Sequence, residues 1–166
     1  MQQPDATKRF HFEHWHPNDL AQAELLWGDP KVTVLISKNG FSAQMIKDRL
    51  AFECDSDRQD GVQYWPMLTP EKELIGVCGL HKQAAGVYEL GYHLRPKFWH
   101  QGIATESAQQ VIQFAREQLP ATKLIAGHQP GNLASQHVIE KLGFTYIGDV
   151  MYPPTGIASR TYELKL

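Results

Sequence analysis

Residues 87–119, VYELGYHLRPKFWHQGIATESAQQVIQFAREQL, decide how this chain folds. The first eight read as a strand, and two-residue alternation puts Glu89, Gly91 and His93 on one face. The period then changes. Ala108, Val111, Ile112, Ala115 and Leu119 recur at helical spacing, and Pro120 stops the run. Between strand and helix lies RPKFWHQGIAT, in which Gly102 and Ala104 are small enough for a ligand to approach the backbone. At the helix start the N–H groups of residues 100–105 lack intrahelical partners, and the positive end of the helix dipole lies behind them. That is an anion cradle suited to phosphate, although a plain tight turn accounts for the same residues. GxxxxGK[ST] and GxGxxG are both absent, so neither a P-loop nor a dinucleotide fingerprint is present. A pyrophosphate held without them belongs to a cofactor that is bound there and not hydrolysed.

Working downstream, residues 123–128 (KLIAGH) read as a short strand. Asn132 caps a helix carrying Ala134, Val138, Ile139 and Leu142, and Gly143 and Phe144 suit a Schellman end. The strand–helix–strand run from 87 to 128 predicts a parallel pair joined by a right-handed crossover. Residues 145–152 and 161–166 read as the last strands, joined by a PPTGIAS loop. Upstream, residues 61–68 and 74–80 are two strands joined by the charged turn TPEKE, which predicts an antiparallel hairpin with Pro66 at an edge or bulge. One earlier helix follows the N-cap Ser42, with Phe41 and Ile46 placed as a hydrophobic staple. Another follows Asn18 or Asp19 and ends at Gly28, Asp29 and Pro30. Residues 9–16 read as an aromatic-rich opening strand. The order β-α-α-β-β-β-α-β-α-β-β predicts an α+β fold, a mixed and mostly antiparallel sheet flanked by helices.

The 166 residues show no repeat or linker, so a single domain over 1–166 is expected. A hydrophobic share of 42% with 20% charged residues excludes a disordered tail. A net charge of -2 provides no basic field for direct nucleic-acid binding. No long apolar run and no apolar leader occur, so no membrane contact and a cytoplasmic location are expected. Cys54 and Cys78 are too few for a disulfide scaffold and read as free thiols, with Cys78 buried. His11, His14 and His16 lack an evident third ligand, so no metal is expected.

Two segments in order, ELGYHLRPKFWHQGIATESAQQVIQFA and HQPGNLASQHVIEKLGF, resemble the GNAT superfamily of N-acetyltransferases. The likeness is to the branch that includes the ribosomal-protein N-terminal (Rim-type) acetyltransferases. RFHFEHWHPNDLAQAELLWGDPKV resembles that branch's opening strand, acidic turn and helix, and YWPMLTPEKELIGVCGL its central hairpin. The resemblance thus covers nearly the whole chain. It implies the GNAT (acyl-CoA N-acyltransferase) fold and acetyl-CoA as co-substrate. Gly102 and Ala104 match the family loop Gln/Arg-x-x-Gly-x-Gly/Ala; Trp99 stands where Gln or Arg is usual, and the branch often has an aromatic there. By resemblance, Trp99, His100, Gln101, Gly102, Ile103, Ala104 and Thr105 form the pyrophosphate loop. His93 and Leu94 would pair their backbone with the pantetheine arm, and Asn132 would touch the same arm.

Many family members carry a tyrosine general acid on the helix after the Asn position. Ile139 stands there in this chain. Ser135, three residues past Asn132 as in parts of the branch, is the substitute that could reach the thioester sulfur; a first-turn serine bonding the backbone is the alternative. Glu89 and His93 could relay a proton through water, or be paired or solvated. Glu106 reads as a first-turn carboxylate favoured by the helix dipole. Trp15, Trp65, Tyr64 and Tyr92 could line an acceptor groove or pack in the core. The expected reaction is direct acetyl transfer to a primary amine, without an acyl-enzyme. An α-amine of pKa about 7.8 is about one-seventh neutral at pH 7, a lysine only about one part in 2,500. An N-terminal amine could thus react mainly through positioning, and the resemblance to the Rim-type branch makes a protein or peptide N-terminus, ribosomal-protein-like, the favoured acceptor. A small-molecule amine acetyltransferase and a non-catalytic CoA-binding module are the alternatives.

Overall fold

The computed structural model describes residues 2–153 and 155–166. Seven strands form one sheet in the order β1-β2-β3-β4-β5-β7-β6. They are β1 (His11–Phe12), β2 (Tyr64–Leu68), β3 (Leu74–Ala84), β4 (Val87–Leu94), β5 (Lys123–His128), β6 (Thr145–Tyr152) and β7 (Ile157–Lys165). Every neighbouring pair is antiparallel except β4 and β5, which are joined by helix α4 (Ile103–Gln118). The α+β architecture is the one the order of elements predicts.

The remaining helices are α1 (Leu20–Trp27), α2 (Pro30–Thr33), α3 (Ala43–Asp60) and α5 (Leu133–Lys141). Ser42 caps α3 by accepting from the Met45 N–H, and Ile46 is buried one turn in, with Phe41 packed on the same cluster. Helices α1–α3 cover one face of the sheet, where Trp15, Leu26, Trp27, Leu50, Tyr64 and Val77 share a core. Helices α4 and α5 cover the other, where Trp65, Leu80, Leu90, Val111, Leu124 and Ile139 share a larger one. The α5 end is a Schellman motif: Gly143 N–H donates to Glu140 O and Phe144 N–H to Ile139 O.

Three expectations are corrected. The opening strand over 9–16 shrinks to His11–Phe12, because Trp15 gives its N–H to the Gln63 side chain and His14 pairs with Asp57. Pro30 does not only end α1; it begins the short helix α2, with the Asp29 side chain accepting from Lys31 N–H. The last strand starts at Ile157, not 161, because Tyr152 already pairs with Ile157 across a tighter turn. Pro154, in the loop expected there, lies outside the described residues. Pro66 lies in β2, which pairs with β3 on one side and on the other meets only the two residues of β1, opposite Met67 and Leu68; the register shift falls just beyond it, between those same two residues.

Candidate active site

β4 and β5 are partners only at their starts. Val87, Tyr88 and Glu89 face Lys123, Leu124 and Ile125, and beyond Glu89 the two strands separate into a wedge. On the other side β4 pairs with β3 along its whole length. Arg95 N–H donates to Ile75 O, which sets the antiparallel alternation: odd residues of β4 spend their backbone groups on β3. Tyr92 and Leu94 therefore turn theirs into the wedge. The Leu94 carbonyl is taken by the Trp99 indole N–H at 2.8 Å. This corrects the expectation for His93, whose backbone is bound in the β3 ladder. Tyr92 and Leu94 are the pair positioned to offer main-chain groups to an extended ligand.

The loop at the wide end of the wedge is a 3-10 turn, Pro96–Phe98, followed by Trp99, His100, Gln101 and the α4 N-cap Gly102. Gly102 has φ 75°, a left-handed geometry that suits glycine, and His100 takes φ 59°. For a residue with a side chain that conformation costs roughly 1–2 kcal/mol. The result is that the N–H groups of residues 100–105 find no acceptor among the described residues. Six consecutive free donors at the start of a sixteen-residue helix make a cradle for a diphosphate.

Arg9 holds this loop in place. Its Nη1 donates to Gln101 O at 2.7 Å and its Nε to Glu106 Oε2 at 2.7 Å, with Nη2 on the same carboxylate oxygen. Partial burial pushes the Glu106 carboxyl up, but hydrogen bonds from Arg9 and Thr7 and the Arg9 charge outweigh it and hold the group below its usual range. Sequence reading saw Glu106 as a first-turn carboxylate and missed Arg9. Nothing in the sequence links residues 92 and 97 positions apart.

On the α1–α3 face of β4, Glu89 and His93 flank Gly91. The Tyr64 phenol crosses Gly91 so closely that a Cβ there would lie 1.9 Å from its oxygen. The hydroxyl donates to Glu89 Oε1 at 2.9 Å, and the ring stacks on His81 at 3.9 Å. The Trp27 indole N–H donates to His93 Nδ1 at 3.1 Å, so Nδ1 is the acceptor and Nε2 carries the proton of the neutral ring. Burial first, then the Arg49 and His81 charges, push His93 well below the ordinary imidazole value. A second proton would have to enter at Nδ1, which Trp27 occupies. His93 thus presents an N–H at Nε2, and Glu89 is the carboxylate beside it on this face, held by the Tyr64 hydroxyl.

Arg49 braces both aromatic partners. Its guanidinium lies 5.2 Å from the Trp27 ring and 5.1 Å from the Tyr64 ring. The fully buried Glu53 holds Arg49 Nε at 2.8 Å, receives His81 Nε2 at 2.9 Å and accepts the Tyr64 backbone N–H. Burial raises the Glu53 carboxyl, yet Arg49, His81 and that N–H together hold it below the usual range. Trp15 and Trp65 are buried in the two cores, so neither lines a groove.

The opposite face of β4 carries Tyr92. Its hydroxyl oxygen is 2.8 Å from Ser135 Oγ. Asn132 Oδ1 caps α5 by accepting the Ser135 N–H at 3.1 Å, and Ile139 is buried one turn on. The expected site residues thus gather around the wedge in two groups. Glu89 and His93 project from one face of β4, toward Tyr64 and Trp27, and Ser135 and Asn132 lie at the start of α5 on the other. Among the described residues no cluster of three or more His, Cys, Asp or Glu side chains is placed to hold a metal, and no helix is long and apolar enough to cross a membrane.

Residues 9–145 match the profile described as acetyltransferase (GNAT) domain. The chain belongs to the GNAT acetyltransferase family. This GNAT chain is 27% identical over 133 residues to "Uncharacterized N-acetyltransferase p20" of Bacillus licheniformis, covering 76% of this chain and 75% of that one. Its fold matches the ribosomal-protein-S5-alanine acetyltransferase of Vibrio fischeri with a TM-score of 0.80 at 15% identity, over 99% and 97% of the two chains. It also matches spermidine N-acetyltransferase from Vibrio cholerae, solved with CoA and spermine, with a TM-score of 0.79 at 13% identity over 96% of each chain. The protein is an acetyl-CoA-dependent N-acetyltransferase of this family.

Proposed function

We propose that this acetyltransferase acts on the free α-amine of a protein or peptide N-terminus. The observation that carries the reading is the charge balance on the acceptor side. Glu53 is buried and held by Arg49 and by a hydrogen bond from His81, so Glu89, which accepts the Tyr64 hydroxyl and has no ion-pair partner among the described residues, is the carboxylate on this face of β4 left for an amine. A polyamine, with several ammonium groups, calls for several carboxylates; one carboxylate suits one amine. An α-amine also needs little help to shed its proton, being about one-seventh neutral at pH 7.

Bound acetyl-CoA supplies an acyl carbon activated as a thioester. The N–H groups of Gln101 to Thr105 hold its diphosphate, with His100 and Trp99 shaping the loop. The main-chain groups of Tyr92 and Leu94 align the pantetheine arm as a partial strand, and Asn132, fixed by its capping bond, borders it. Glu89, oriented by Tyr64, takes the proton released as the amine attacks. Ser135 donates a hydrogen bond to the sulfur. Transfer is direct: Cys78 is fully buried and burial pushes its thiol up to about 12, and the Cys54 thiol donates to Trp15 O.

Calorimetric titration with acetyl-CoA tests the loop, with Gly102→Glu as the control. Binding by the wild type should fall at least about tenfold in the variant. Unchanged affinity in a folded Gly102→Glu protein refutes the loop assignment. CoA release with peptides beginning in Ala or Ser, compared with spermidine, tests the acceptor. The peptides should give the higher kcat/KM; a preference for spermidine overturns the acceptor reading.

A further inference from the structure

Tyr92 and Ser135 reach each other across the wedge. Tyr92 stands on β4 where it has left β5, and Ser135 lies in the first turn of α5, which follows β5. Their oxygens are 2.8 Å apart, and the Tyr92 oxygen is also 3.4 Å from the Ser135 carbonyl. Neither hydroxyl has another hydrogen-bond partner among the described residues. The Tyr92 proton therefore has two acceptors, both at Ser135. Burial pushes the phenol up, so Tyr92 keeps that proton at neutral pH. With Tyr92 donating, the Ser135 proton is left without an acceptor inside the chain. A half-buried hydroxyl in that condition is ready to donate to whatever enters the wedge. The backbone of Tyr92 faces the same gap, so an arm laid along β4 passes the pair.

We propose that Tyr92 is a positioning residue that turns the Ser135 hydroxyl toward the sulfur of the bound thioester, so that two hydroxyls in series support the departing thiolate. The inference rests on the reading of the wedge as the acetyl-CoA site. As the amine nitrogen bonds to the acetyl carbon, the C–S bond breaks and its electron pair stays on sulfur. The surplus proton of the amine leaves through Glu89 to solvent. The sulfur accepts a hydrogen bond from Ser135, and Ser135 accepts one from Tyr92. Neither hydroxyl ionises, and the thiolate takes its proton from water after release.

The test needs no acceptor amine, because CoA carries the leaving sulfur. The protein is saturated with CoA or with desulfo-CoA, and ultraviolet thiolate absorption is followed against pH. The difference gives the ionisation midpoint of the bound thiol. Cys78, on β3 opposite Tyr92, is the titratable neighbour; burial, less a small effect of Ser107, pushes it up to about 12, above the window, and Cys54 is common to both complexes. In the wild type the midpoint should lie about one pH unit or more below that of free CoA, about a tenfold larger thiolate fraction. Tyr92→Phe and Ser135→Ala should each abolish most of that shift. The double variant should remove no more than either alone, while desulfo-CoA affinity stays within about threefold. Tyr92→Leu, which also lacks the hydroxyl, serves should Tyr92→Phe not fold. A wild-type midpoint in Tyr92→Phe overturns the proposal even if Ser135→Ala shifts it. A wild-type complex that titrates like free CoA also overturns it. Failure of the folded wild type to bind CoA at all overturns the site reading beneath it, which is a different result.

Discussion

Gly91→Ala would act on the acceptor side of the site through a single added atom. The new Cβ would stand 1.9 Å from the Tyr64 hydroxyl oxygen and 2.3 Å from Cζ, where ordinary contact begins at 3.4 Å. The phenol must retreat by about 1.5 Å to clear it. Its hydroxyl is now 2.9 Å from Glu89 Oε1, so that retreat carries it out of hydrogen-bond range. The ring has little room to move, because its face stacks on His81 at 3.9 Å and the residue is buried. Overpacking costs about 1–3 kcal/mol and the lost hydrogen bond about 1 kcal/mol, so a total of about 2–4 kcal/mol is expected. That corresponds to a fall of about 5–15 °C in Tm for a chain of this length. Urea denaturation measures the stability, and peptide-dependent CoA release measures the activity, which should fall with the loss of Glu89 orientation. The decisive comparison is the same substitution in a Tyr64→Ala background. There the atoms it strikes are gone, and Gly91→Ala should add less than about 0.5 kcal/mol. An equal cost in both backgrounds, or a Gly91→Ala protein with full stability and activity, refutes the close-approach reasoning.

Other outcomes follow from the same geometry. Arg9→Gln should raise KM for acetyl-CoA about threefold to tenfold while stability stays within about 1 kcal/mol, since the Arg9–Glu106 pair is partly exposed; unchanged steady-state kinetics would count against a role in bracing the loop. Arg49→Met leaves Glu53 buried with His81 and the Tyr64 N–H as its remaining hydrogen-bond partners, and urea denaturation should show a loss of about 3–5 kcal/mol, partly restored by adding Glu53→Gln. No restoration would mean that the pair is not the source of the loss. His93 stays neutral in the folded protein, whereas in the unfolded chain it takes up a proton near its ordinary value. Stability should therefore fall as pH drops below about 6.5 toward the depressed folded value, by up to about 1.4 kcal/mol per pH unit. His93→Asn should remove that part of the slope; superimposable pH profiles would refute the burial argument.

The middle of the chain was readable because its signals are local. β4 and β5 fall on the expected residues, and α4 keeps its apolar repeat from Ala108 to Ala115 in the core. The Asn132 cap and the α5 end are set by residues three to five apart. What escaped the sequence depends on distant partners. β1 is short because Trp15 and His14 turn to Gln63 and Asp57, 43 to 48 positions away. β7 extends to Ile157 although its outer partner β6 is exposed on both faces, so neither strand shows a burial alternation to read. In the site, the Gly-containing loop was evident, but the brace at Arg9 and the clamp of Arg49 between two rings were not. His93 was placed on the right face, yet its two roles depended on register and tautomer. The backbone phase of β4 against β3 took away its main-chain role toward a ligand, and the indole of Trp27 set its tautomer.

β7 follows β6 in the chain but lies between β6 and β5 in the sheet. β6 therefore has no strand to join until residues after it have been made. During synthesis β5 waits with a bare edge while α5 and β6 emerge, and the last strand to appear must slot into the gap and recruit both neighbours together. A chain cut between Tyr152 and Ile157 would lose more than nine residues of strand: β6 would be left unattached and the β5 edge uncovered. The order of assembly, not only the final packing, makes residues 157–165 the keystone of this half of the sheet.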